Sequence, residues 1–162
     1  MFGRLIALAS AVSLLVACSS PPPEPPPGPP IGGLPGGISS ARIGPGSQQD
    51  LAVTAGDRIF FAYDRAEIGP EAQQILQRQA QWLQRYPNVS VTIEGHCDER
   101  GTREYNLALG ERRAQAAKNV LVALGIPSVR IATISYGKER PIVPGSTEDA
   151  WAQNRVAITM VQ

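Results

Sequence analysis

Between Gln48 and Gln162 the spacing of apolar residues switches repeatedly between a period of two and a period near 3.6. "DRIFFAY" is a short β-branched and aromatic run that reads as a strand. In "EAQQILQRQAQWLQRYP", Ala72, Ile75, Leu76, Gln79 or Ala80, and Leu83 fall on one helical stripe, which Pro87 stops. "VSVTIEG" turns Val89, Val91 and Ile93 to one side and Ser90, Thr92 and Glu94 to the other, the pattern of a half-buried strand. A second helix is predicted from near Thr102 to Leu124, with Gly125 at its exit and Pro127 beyond. "RIATISYG" and "NRVAITMV" read as a third and a fourth strand, the latter preceded by a short helix around Thr147 to Ala152. Strands alternating with helices imply crossover connections and a small two-layer α/β domain with helices packed against a sheet.

The first 47 residues follow neither pattern. "MFGRLIALASAVSLLVAC" has a short charged start at Arg4, an apolar run from Leu5 to Val16 and small residues before Cys18, the layout of a secretory signal. The run is shorter than the about 20 apolar residues of a spanning helix. Leu15-Val16-Ala17-Cys18 resembles a lipobox, where bacterial lipoprotein precursors are cleaved and the cysteine is lipidated. Residues 1–17 are therefore expected to be a lipoprotein signal peptide, and Cys18 the lipidated residue. Ser19 and Ser20, with no Asp following, resemble lipoproteins sorted to the outer membrane. From Ser19 to Ser47 the chain is mostly Pro, Gly and Ser, so residues 18–47 read as a lipidated cysteine and a tether, stiff and polyproline-like in its first half. Fully extended at about 3.1 Å per residue, the stretch would reach on the order of 90 Å. Residues 48–162 form the globular domain.

Charge changes the picture locally rather than globally. A formal net charge of +1 offers no basic face for nucleic acid. The block "EGHCDERGTREYNLALGERRA", Glu94 to Ala114, nevertheless gathers five acids, four arginines, the single histidine and a cysteine. His96, Cys97, Asp98 and Glu99 do not suit a metal: consecutive strand residues point apart, the chain has no second His, and no CxxC pair occurs. Continuing the strand puts Cys97 on the side of Val91 and Ile93 as a small buried hydrophobe, with His96 and Asp98 projecting with Glu94. One His beside a buried Cys gives no activated nucleophile and no open metal site, so no enzyme and no cofactor is expected.

On the second helix, Asn106, Leu109, Gly110 and Arg113 share a face that continues as Ala117, Val120, Leu121 and Leu124. A guanidinium on an apolar stripe needs an anionic partner, and Asp98 is the nearest candidate. Arg112 points elsewhere, towards solvent. Gly110 costs about 1 kcal/mol relative to Ala in a helix interior, so something is expected to approach the backbone closely there. Asp98 and Arg113 are either an internal salt bridge or a ligand site. As a site they suit a zwitterion of amino-acid type, its ammonium on the carboxylate and its carboxylate on the guanidinium fork.

"IFFAYD", "TIEGHCDERGTREYNLALGERRA", "SYGKERP" and "AWAQNR" occur here in the order and spacing of the outer-membrane protein A-like C-terminal domain family, and resemble in particular its Tol-Pal members, the peptidoglycan-associated lipoproteins. The resemblance runs from about Gly56 to Val161. It implies a two-layer α/β sandwich with about four strands in a mixed sheet and helices on one face. It also implies noncovalent binding of peptidoglycan at the diaminopimelate of the stem peptide, with Asp98 taking the ammonium and Arg113 the carboxylate. By position, Asn106 and Leu109 shape the pocket wall, Arg100 lies near the ligand, and Asp64 matches the Asp that ends the first strand. The implied location is the outer membrane of a Gram-negative bacterium, with a lipid anchor at Cys18 and the domain in the periplasm. The implied partners are the wall and the periplasmic propeller protein of the Tol complex, which can occupy the same face. The alternative is a protein-interaction module of that complex without direct wall binding. Two positions depart from many relatives: Ala62 stands where an Asp is common, and Val156 where a second Arg is common, so side-chain contacts from those positions are absent.

Overall fold

The last strand of the chain does not close an edge of the sheet but lies inside it, between the first and the second strand. In the computed structural model, which describes residues 43–162, the elements are α1 (Gln48–Thr54), β1 (Arg58–Phe60), α2 (Pro70–Arg85), β2 (Val91–His96), α3 (Arg103–Ala123), β3 (Ile131–Gly137), α4 (Glu148–Asn154) and β4 (Val156–Val161), with a 3-10 turn at Ser128–Arg130. The order across the sheet is β1-β4-β2-β3. β4 is antiparallel to both neighbours, and β2 runs parallel to β3 through the α3 crossover. The four-stranded mixed sheet expected for the family is therefore present.

Local chemistry sets the boundaries. Thr102 Oγ1 accepts from the Tyr105 amide and Thr147 Oγ1 from that of Ala150, so hydroxyl caps start α3 and α4. Pro70 starts α2 in the first-turn position where its missing N–H costs nothing. Gly125, at φ 93°, ends α3 in the left-handed region that side chains avoid. Helix α1 escapes the periodicity reading because its seven residues bury only Leu51. β2 begins at Val91, two residues later than the alternation suggests; Val89 packs at the edge of the core instead.

Leu51, Leu76, Leu83, Ile93, Leu121 and Ile131 form one continuous core in which α1, α2 and α3 meet the same side of the sheet. The opposite side carries Arg58 and Phe60, which are exposed, with Val156 and Ile158 buried at its centre. Three glycines let α3 descend onto β2 and β3. A Cβ on Gly95 would collide with the Gly110 carbonyl, one on Gly110 would lie 2.9 Å from the Gly95 oxygen, and one on Gly137 would lie 2.9 Å from the Leu107 amide nitrogen. The close approach expected at Gly110 is thus met by the backbone of β2. The signal peptide, Cys18 and all but the last few residues of the tether lie outside the described residues.

Candidate functional site

β1 and β2 finish, and β4 begins, at the same end of the sheet, and the first half of α3 passes over that end. A pocket of about 100 Å³ opens there, lined by Asp64, Asp98, Arg100, Asn106, Leu109 and Arg113 together with Tyr63, Cys97, Gly101 and Tyr105. The six residues singled out from the sequence are thus brought to one cavity.

Arg113 is 0% exposed. Its Nε donates to Arg65 O at 2.8 Å, Nη1 to His96 O at 2.8 Å, and Nη2 to Ala62 O at 3.2 Å. Among the described residues no carboxylate is in salt-bridge range of it, so the internal Asp98–Arg113 bridge is not formed. The reason is that carbonyl dipoles from the loop after β1 and from the end of β2 reach the guanidinium first. Burial pushes the Arg113 pKa below its ordinary value, and an arginine nevertheless stays protonated at neutral pH. The pocket wall therefore holds a desolvated positive charge. Ala62 takes part through its carbonyl, a contact that does not depend on which side chain stands there.

Asp98 is 4% exposed and pairs elsewhere. Arg100 reaches it through Nη2 at 2.6 Å, Nε at 3.2 Å and its backbone amide at 3.2 Å, and Arg155 Nη1 adds a contact at 3.4 Å. Burial opposes ionisation of Asp98, but these donors outweigh it and hold the carboxyl below its usual range. The expectation that Asp98 projects with Glu94 and His96 fails because β2 ends at His96 and the chain turns, at Gly101 with φ 89°. Asn106 pins that turn, donating to Arg100 O at 2.7 Å and Thr102 O at 3.0 Å.

Asp64 lies in the loop four residues past β1 rather than at the strand's end, at φ 54°, and accepts a hydrogen bond from Tyr105 Oη. Cys97 is buried, donating to Asn106 O at 3.3 Å, and burial pushes its thiol up to about 11, out of nucleophile range. Arg112 is exposed, its guanidinium 5.8 Å from the Tyr105 ring centroid. Sequence reasoning missed Arg155, Tyr63 and Trp151. The two rings sandwich Arg100 at 4.0 and 4.2 Å, and Arg155 Nη2 is held by Glu148 Oε1 at 2.9 Å. The only signal for Arg155 was its place inside "AWAQNR"; the aromatic pair unites residues 88 positions apart, which no local pattern reveals.

The pocket carries a buried cation with no carboxylate in salt-bridge range among the described residues, and a buried carboxylate tied to a partly exposed arginine. It can take a small ligand of mixed charge by noncovalent contacts.

Residues 60–155 match the model of the OmpA family. A protein of Agrobacterium fabrum named peptidoglycan-associated lipoprotein is 58% identical over 126 residues, covering 78% of this chain and 70% of that one. A protein of the same name from Brucella melitensis is 51% identical over 157 residues, covering 96% and 90%. The crystal structure of the peptidoglycan-associated lipoprotein from Burkholderia pseudomallei superposes with a TM-score of 0.64 at 40% identity, over 65% of this chain and 90% of that one. The C-terminal domain of Helicobacter pylori MotB, at 21% identity and TM-score 0.62, shares the fold. With its sheet order, its pocket and this match over more than half its length, the chain belongs to the OmpA family.

Proposed function

We propose that the chain is an outer-membrane lipoprotein that holds peptidoglycan noncovalently, without enzymatic activity, through the diaminopimelate of the stem peptide. Asp98 takes the ligand's free ammonium and Arg113 faces its carboxylate. Asn106 and Leu109 form the wall, with Arg100 and Asp64 at the rim. The observation that carries this reading is the Arg113 guanidinium, fully buried beside the pocket and without a carboxylate partner among the described residues. Carbonyl dipoles hold this charge but supply no counter-charge, so an anion entering the pocket adds an attraction that the fold itself does not provide. Relatives named as peptidoglycan-associated lipoproteins support the same assignment.

Lipid on Cys18 anchors the chain to the outer membrane, and the Pro-rich segment spans to the wall. The same face can also be occupied by the periplasmic propeller protein of the Tol complex. The filled coordination of Asp98 favours one rival, a protein-binding module in which Asp98 stays closed on Arg100.

Calorimetric titration of the intact chain with a soluble diaminopimelate-containing stem peptide, beside the same peptide carrying lysine, tests the reading. Binding of the first and loss with the second, which lacks the terminal carboxylate, is expected. Binding of neither, with the propeller protein still captured, would establish the rival.

A further inference from the structure

The two oxygens of an ionised carboxylate offer about four acceptor positions. At Asp98 four donors from within the chain occupy them. Oδ1 accepts from the Arg100 amide and Nε, both at 3.2 Å, and Oδ2 from Arg100 Nη2 at 2.6 Å and Arg155 Nη1 at 3.4 Å. A ligand ammonium reaches Asp98 only by displacing one of them.

The donors are held unequally. The Arg100 amide belongs to the turn pinned by Asn106. Arg155 is 8% exposed and is tied down a second time by Phe61 O at 3.1 Å and by Glu148. The Arg100 side chain is 30% exposed. Beyond Asp98 its contacts are the rings of Tyr63 and Trp151 and a distant approach to Glu148 at 3.7 Å. Trp151 is itself oriented from outside the pocket, Nε1 donating to Glu99 Oε1 at 3.1 Å.

We propose that Arg100 is a displaceable latch on Asp98, and that Trp151 and Tyr63 are positioning residues that set how readily it opens. This rests on the reading above that Asp98 receives the ligand's ammonium. The latch makes the site selective. A ligand with an ammonium alone must break a bidentate charge pair and leave the Arg100 fork with only the distant, exposed Glu148 carboxylate. A zwitterion replaces both halves of the pair: its ammonium takes Asp98, and its carboxylate lies between the freed Arg100 and the buried Arg113.

The test titrates the intact chain and the variants Trp151→Leu, Tyr63→Leu and Arg100→Gln with the diaminopimelate and lysine stem peptides. Folding of each variant is checked by circular dichroism. Removing one ring loosens the latch without touching Asp98, so Trp151→Leu tightens the diaminopimelate peptide about two- to fivefold, the size of one exposed cation–π contact. Carboxyl carbon titration by NMR then shows the Asp98 pKa rising towards the ordinary carboxylate range, a change that lost packing alone does not produce. Tyr63→Leu repeats both effects if Trp151→Leu fails to fold. Arg100→Gln narrows the preference for diaminopimelate over lysine by roughly tenfold, as one charged hydrogen bond is lost. Unchanged or weaker binding in the ring variants, with Asp98 titrating as before, overturns the latch and leaves the wall reading standing. Failure of the unaltered chain to bind either peptide overturns both.

Discussion

Arg113 is held by three carbonyl oxygens, two from the loop after β1 and one from the last residue of β2, so one side chain joins parts of the chain 17 to 51 residues away. Its place on an apolar helix face was legible in the sequence; its partners were not, because a main-chain carbonyl leaves no mark in the residue types. The partners of Asp98, mainly the Arg100 and Arg155 guanidinium groups, were hidden for another reason: several arginines compete for it and only the fold decides which arrive. In a wall sedimentation assay, Asp98→Ala and Arg113→Ala are each expected to abolish most binding, while the exposed Arg112→Ala leaves it nearly intact; equal losses in all three would reduce the site to general electrostatics. Arg113→Ala is also expected to lower stability by about 1–3 kcal/mol for each buried carbonyl that water does not reach, read from denaturant midpoints. His96 supplies a pH dependence. It is 2% exposed, its Nδ1 is 3.0 Å from Arg140 O, and its Nε2 has no hydrogen-bond partner, although Glu94 Oε2 lies 3.7 Å away. Burial lowers its pKa below the ordinary 6.5, so below that pH the unfolded chain binds more protons than the folded one, and stability falls as pH drops through that point. Asp98, whose folded pKa is also lowered, contributes stability that is complete above the ordinary carboxylate range and is lost as pH falls through its folded value. Unfolding midpoints taken from pH 7 to pH 3 are expected to decline in these two stages, and His96→Gln to remove the first.

At the scale of elements, the long segments were readable by their period, β1 and α4 by composition and position, and α1 was not. α2 and α3 carry enough turns for a stripe to show, and Thr102 and Gly125 mark the ends of α3 chemically. α1 has one buried residue, and β1 has only three residues in its ladder, so neither imposes a period on the sequence. Register was invisible for the same reason that glycines were ambiguous: Gly95, Gly110 and Gly137 matter only as a set, where α3 meets β2 and β3. Gly110→Ala removes a poor helix former, a gain of up to about 1 kcal/mol, but drives a methyl into the Gly95 carbonyl and Ser135 Oγ. Overpacking of this kind costs about 1–3 kcal/mol, and backbone on one side cannot yield as a side chain would. The net expectation is a lower melting temperature and, because Leu109 and Arg113 ride on the same helix, weaker wall binding. A variant that melts higher than the unaltered chain would show that α3 is not pressed against β2.

At the scale of the whole molecule, the expectations that rest on composition alone concern residues outside the described part. The apolar run before Cys18 and the Pro-rich stretch after it are compositional signals, legible without any fold. Cys18→Ser is expected to move the protein from the membrane fraction to the soluble envelope fraction while its binding to isolated wall persists; retention in the membrane would remove the lipid anchor from the account. Among the described residues no helix is long and apolar enough to cross a membrane. Gln48, the first residue of α1, clasps the far end of β4: its Oε1 accepts from the Val161 amide at 2.7 Å and its Nε2 donates to Thr159 O at 3.1 Å. The pocket lies at the other end of that strand, beside Arg155 and Val156. A pull between the N-terminal side of the domain and a ligand in the pocket therefore runs lengthwise along β4, which is hydrogen-bonded on both sides. Ladder bonds lie across the strands, so such a load shears them together instead of unzipping them one after another, and mechanical strength along this axis comes from topology rather than from any added contact.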